Sequence, residues 1–257
     1  MLFSKKNLTE QSEVIEEQCP FCSHSVKLPA LSYINAEKDQ ALKLEAMNNQ
    51  LFHARCPVCG SQIPLSNFLA YEDKPNHSVL YFEPDAESRK NLIRTIRKRL
   101  QEKKRFAKQI RYRITTVRDD FYEKVRILDC GLDDRVVELM KLYIRHYFSS
   151  QKNRTIQKIR FHIQRDTPLF LIDLEEAHGS FGFSTTDYET LSDSLKEIQK
   201  EFAGFDECSI RVDQDWAARA LLRIQEKFLD PSCLHTETDS EREDELLITP
   251  ESHRFGA

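Results

Sequence analysis

Four cysteines arrive in two matched pairs, Cys19-Pro20-Phe21-Cys22 and Cys56-Pro57-Val58-Cys59, with 33 residues between Cys22 and Cys56. A Cys-x-x-Cys pair supplies two soft thiolate ligands. Two pairs close the tetrahedral shell that structural zinc prefers, so Cys19, Cys22, Cys56 and Cys59 are the candidate metal ligands. Gly60 follows the second pair, where a turn around a metal needs a residue tolerant of unusual φ and backbone N–H groups aimed at the sulfurs. His24 and His53 lie close in sequence, but four thiolates already complete the shell, and both histidines read as surface or supporting residues. Two other chemistries use the same residues. A disulfide needs an oxidising compartment, which nothing in the chain suggests. A thiol redox pair, Cys19 with Cys22, should open a helix in a βαβ unit, whereas residues 23–28 read as a turn leading into a strand.

The elements that must position these sulfurs are short. Residues 14–18 form a strand into the first pair and 26–31 its return. Residues 41–47 are good helix formers stopped by Asn48-Asn49, giving a short helix inserted between the pairs. Residues 51–55 lead into the second pair. Residues 67–71 and 78–82 form a hairpin around Asp73-Lys74-Pro75-Asn76. So small a β unit has little core, and a metal would staple it. Iron is the minor alternative to zinc, because a Cys-Pro-x-Cys-Gly knuckle is rubredoxin-like.

Beyond the second pair, Asp85 starts a long helix whose apolar stripe is Leu92, Ile96 and Leu100, extended by Ala107 and Ile110. From residue 89 to 113 there are twelve Lys or Arg against one acid, Glu102. Arg94, Arg97, Lys98, Arg99, Lys103, Lys104, Arg105 and Lys108 mark a candidate polyanion or partner surface. An unknown protein partner is the favoured reading. Nucleic acid is the alternative, since the chain as a whole carries a net charge of −4 and few aromatics interleave the charges for stacking bases. Residues 235–257 hold seven acids against Arg242 and Arg254, and are expected to be a disordered acidic tail. Asp119 or Asp120 caps the next helix. Gly131 is placed to end it in the left-handed conformation, and Asp133 to cap the one after, residues 135–148, whose broad apolar face marks a core helix.

The paired Cys-Pro-x-Cys motifs, together with Tyr112-Arg113-Ile114, Glu123-Lys124-Val125 and the run Gly131-Leu132-Asp133-Asp134-Arg135-Val136-Val137-Glu138-Leu139-Met140-Lys141, resemble the bacterial CpXC domain family. The resemblance covers about half the chain, from near Val14 to near Phe148. It implies a fold neighbourhood and a metal site, and carries no assigned reaction.

After a polar break at 149–154 the period changes from helical to alternating. Residues 159–163 form a half-buried strand, 169–174 a second and 181–183 a third. A helix capped by Thr186 and Glu189 follows, then a fourth strand at 209–212 and a last helix capped by Asp215. Trp216 reads as a core anchor. His162, His178, Asp173, Glu175 and Glu176 are the polar residues that could be imagined as a catalytic cluster, but they sit on a strand's polar face or in a hairpin connection. No P-loop, dinucleotide fingerprint or nucleophile elbow occurs, and no catalytic residue is named. Cys130, Cys208 and Cys233 are isolated, the first two reading as buried free thiols.

The fold class is therefore α+β: a polar segment 1–13, a zinc-ribbon-like unit 14–84 with its inserted helix, a helical segment 85–150, a small antiparallel α+β domain 151–234, and the tail 235–257. The function expected is a zinc-stabilised, non-catalytic binding or adaptor protein, with nucleic-acid binding and thiol redox chemistry as alternatives. No apolar run reaches the length of a membrane span and the first residues lack a signal-peptide core, so a cytoplasmic location is expected.

Overall fold

The structure, a computed structural model, describes residues 14–29, 31–65, 67–102, 110–175, 177–201 and 210–228. The expected tail, the segment 1–13, Lys103, Lys104, Arg105, Lys108, Glu176, Cys208 and Cys233 lie outside these. The chain is α+β and divides into two compact units between Leu128 and Asp129.

In the first unit the elements run β1 (Val14–Gln18), β2 (Ser25–Pro29), β3 (Tyr33–Asn35), α1 (Gln40–Met47), β4 (His53–Arg55), β5 (Gln62–Pro64), β6 (Leu69–Asp73), β7 (Ser78–Phe82), α2 (Ala86–Glu102), β8 (Arg111–Thr115) and α3 (Arg118–Asp129). Two of the pairings are small antiparallel hairpins, β1 with β2 and β4 with β5. The rest build a mixed sheet in the order β3-β6-β7-β8, parallel at both outer pairs and antiparallel at the β6–β7 hairpin. One face of this sheet turns Ile34, Leu69, Tyr71, Leu80 and Phe82 onto Phe121, Tyr122 and Val125 of α3 and Ala46 of α1.

Phe52, just before β4, stands at the centre of that core, with ring centroids 4.5 Å from Phe82 and 5.3 Å from Phe121. Its N–H donates to the Tyr122 hydroxyl at 2.9 Å, so the strand that enters the second cysteine pair is anchored in the core. Arg126 performs the matching task for α1. Its Nε donates to the Met47 carbonyl at 2.9 Å, satisfying one of the carbonyls that a helix end leaves without a partner, and its guanidinium also donates to the Asn49 side chain.

The basic helix expected over 89–113 is corrected. The described helix α2 ends at Glu102, and Arg111–Thr115 is a strand. Charge continuity hid this change of state. The run Tyr112-Arg113-Ile114-Thr115 alternates and is rich in β-branched and aromatic residues, and it completes the sheet beside β7. Ile110, expected on the buried stripe, is exposed.

The second unit contains α4 (Asp134–Gln151), β9 (Lys158–Gln164), β10 (Thr167–Asp173), β11 (His178–Gly182), α5 (Thr185–Glu201) and α6 (Gln214–Phe228). The three strands form an antiparallel sheet in the order β11-β10-β9. The apolar face of α4, through Val136 and Leu139, packs with Leu195 of α5 and with Trp216, Ala217 and Ala220 of α6. That packing assigns α4 to the second unit, so the helical segment expected over 85–150 is shared between the units. Trp216 is a core residue, as its periodicity predicted.

Several local expectations shift. The segment 210–212 forms no strand, although Ile210 and Val212 are buried. The cap of α5 is Ser184, whose Oγ accepts from Asp187 N at 3.1 Å, and that of α6 is Asp213, which accepts from Trp216 N at 3.0 Å. Thr186 and Asp215 instead lie in the first turns. Asp119 and Asp120 likewise sit in the first turn of α3, favourable there for the helix dipole. Gly131 has φ +67° and Asp133 caps α4 by accepting from Arg135 N at 3.0 Å. Cys130 is exposed rather than buried, because it lies in the turn between α3 and α4. Among the described residues no helix is long and apolar enough to cross a membrane.

Candidate metal centre

Each cysteine pair sits in the turn of one small hairpin, and the two turns are built alike. In the first, Cys19 N donates to His24 O and Ser23 N to Cys19 O, both at 2.9 Å. In the second, Cys56 N donates to Ser61 O and Gly60 N to Cys56 O, again both at 2.9 Å. A shift of 37 positions therefore superposes the bonding of one turn on the other. The left-handed residue falls at the same place in both, Ser23 at φ 57° and Gly60 at φ 74°. Glycine takes that conformation freely and serine does not. Val26 and Ile63 are also equivalent, and with Cys19 and Cys56 they form a small buried cluster beneath the turns.

This repetition turns four sulfurs toward one point. The Sγ atoms of Cys19, Cys22, Cys56 and Cys59 all lie within 4.8 Å of one another. Cys19 is 3.5 Å from Cys59, and Cys22 is 3.6 Å from Cys56. Four sulfurs at about 2.3 Å from a tetrahedral ion would stand about 3.8 Å apart, so the set fits a bound metal with little adjustment. All four are free thiols. The first cysteine of each pair is buried, 1% exposed at Cys19 and 2% at Cys56, and the second is exposed. Neither His24 nor His53 joins the group among the described residues.

The electrostatics of the cluster show what four crowded thiols lack. At Cys59 the Ser61 hydroxyl, aided by the Ser61 N–H, stabilises the thiolate and lowers its pKa from 9.0 to about 6. At Cys22 the His24 N–H pulls in the same direction, but partial desolvation by the cluster and the three neighbouring sulfurs together win and push the thiol up to about 12. Ionising one sulfur thus makes the next harder to ionise. A dication at the centre removes that conflict, because each thiolate then faces positive charge instead of another thiolate.

The redox arrangement expected as an alternative needs a single pair at the start of a helix. Here Cys22 leads into β2, and Cys19 and Cys22 stand among four sulfurs rather than two. The other residues singled out in the sequence are scattered. Arg94, Arg97 and Lys98 are exposed on α2, whereas Arg99 is half-buried and acts electrostatically on Tyr81 and Tyr112. Lys90, which sequence reasoning left out, is exposed on the same helix. In the second unit, Asp173 bonds His178 Nδ1 at 3.0 Å and Arg160 at 3.2 Å. Sequence reasoning missed Arg160. The alternation that puts Arg160 on the same polar strand face as His162 was the signal that could have found it.

Residues 18–141 match the family described as CpXC protein. No curated protein and no solved structure matches the chain.

Proposed function

From the match of residues 18–141 to the CpXC family, we propose that Cys19, Cys22, Cys56 and Cys59 hold one structural zinc ion, and that the protein is a non-catalytic binding or adaptor protein built on that staple. The observation that carries the reading is the duplicated turn that gathers four sulfurs within 4.8 Å. A shell closed by four protein thiolates leaves no open position for water or substrate, which is the signature of a structural rather than a catalytic ion. Zinc suits such a shell in a reducing compartment, where the thiols stay reduced, and a cytoplasmic location follows from the same chemistry. Iron in a four-thiolate site is the minor alternative.

The test is elemental analysis of purified full-length protein, paired with thiol alkylation before and after a chelator. One zinc per chain, with four thiols protected until chelator is added, is the expected result. Four thiols that titrate freely with no bound metal would sink the reading in favour of redox chemistry, and stoichiometric iron would change the cofactor.

A further inference from the structure

The surface of α2 sorts its residues sharply. Ile96 is fully buried, Leu92, Ile93, Arg99 and Leu100 are half-buried, and Lys90, Asn91, Arg94, Arg97 and Lys98 are exposed. At about 100° per residue, Lys90, Arg94, Arg97 and Lys98 fall within one arc about 100° wide, opposite Ile96. Glu87, the acid of the first turn, is taken up by Lys90 at 3.1 Å. From Asn91 to Lys98 the outward face carries no acid and no apolar side chain.

We infer that this face of α2 binds the phosphate backbone of double-stranded nucleic acid. The inference rests on the reading of the chain as a binding protein and names the partner class. Charge and composition carry the choice of phosphate. The face offers no aromatic or apolar side chain of the kind that protein interfaces bury alongside arginine. Arg94 and Arg97 present planar forks that match phosphate oxygens, as they also match carboxylates, so an acidic peptide is the competing ligand. The acidity that counted against nucleic acid is in the other unit: residues 1–128 carry 22 Lys and Arg against 16 Asp and Glu, a net of +6, and residues 129–257 carry 16 against 26, a net of −10. The absence of aromatics from the face selects a duplex over a single strand, which would need stacking platforms.

The test is fluorescence anisotropy of a labelled mixed-sequence 20-base-pair duplex against full-length, metal-loaded protein. With Arg94, Arg97 and Lys98 each neutralising one phosphate, the log–log salt slope should be about −2.7, weakening binding about fortyfold between about 50 and 200 mM salt. Replacing Arg94, Arg97 and Lys98 together with Ala should bring the slope close to zero and lower affinity about tenfold or more, while the three changed to Lys, Lys and Arg keep the slope. The unfolding temperature is measured for each variant, since all three positions are solvent-facing and should not alter it. No saturable duplex binding up to about 100 µM at the lower salt, or binding indifferent to the Ala variant, overturns the inference. So does capture of a poly-glutamate peptide by the same residues without duplex binding, which would assign the face to an acidic polypeptide. Metal content is read on the same preparations: metal-free protein that binds duplex defeats the zinc proposal alone, and zinc-loaded protein that does not bind defeats this one alone.

Discussion

Gly60→Ala isolates the cost of one backbone torsion at the metal centre. Gly60 sits at φ +74°, and a Cβ added there meets nothing within 4 Å, so no clash enters. An L-residue in the left-handed region costs about 1–2 kcal/mol. The unfolded chain returns part of this, about 0.4–1 kcal/mol, because alanine has fewer conformations to lose than glycine. The net is a loss of about 1 kcal/mol, or roughly fivefold in metal affinity if the turn and the metal form together. Ser23 occupies the equivalent position at φ 57°, so Ser23→Gly should move in the opposite direction by about 0.5–1 kcal/mol. Competition for zinc against a chelator at pH 7.5, with thermal unfolding of the same proteins, measures both. The reasoning fails if Gly60→Ala changes neither quantity, or if the two substitutions shift them with the same sign.

Four further outcomes are expected. Cys59 ionises below its ordinary range, so the thiolate's contribution is present above that range and is lost as pH falls through about 6. Because each thiol must lose its proton to bind a metal, bound metal should be released with uptake of protons as the pH is lowered, as an indicator-dye titration can read. Cys56→Ser should abolish metal binding and loosen the two small hairpins first, seen as hydrogen exchange rising there before it rises in the four-stranded sheet. In the cores, Arg126→Ala removes both bonds to the end of α1 and should cost about 1.5–3 kcal/mol in urea unfolding, the range for a hydrogen bond involving a charged group. Asp133→Ala, which removes the cap of α4, should cost about 1 kcal/mol in the same assay.

The four-cysteine cluster was legible in the sequence because its signal is local. Two identical spacings, a proline in each and Gly60 after the second are read without knowing what packs on what. The hairpin around the first pair, the strand entering the second and the β6–β7 hairpin were legible for the same reason, as were Gly131 and the Asp133 cap, whereas the return strand β5 was not read. What stayed hidden depends on distant partners. Strand β8 pairs with β7 across 28 intervening residues, and its alternation was masked by the Arg and Lys that run through both α2 and β8. The broad apolar face of α4 was visible, but not that Trp216 and Leu195 would cover it, so the division of the chain fell on the wrong side of that helix. Caps were displaced by two residues where Ser184, Thr185 and Thr186, or Asp213 and Asp215, offered several side chains in a row. Backbone geometry, not residue type, chooses among them.

One consequence follows from the parallel pairing of β7 with β8. Parallel neighbours cannot be joined by a tight turn, and the chain must travel back the length of the sheet before the second strand begins. Helix α2 is that return path. Excising it would remove the register of β8 along with the charges, so deletion mapping would confound a lost surface with a lost strand. The inward residues, Ile96 above all, are bound to the architecture, whereas the solvent-facing positions are open to replacement. An evolving sequence can thus rewrite the charge pattern of this helix and leave its connecting role untouched, and affinity for a partner can drift without a toll on folding.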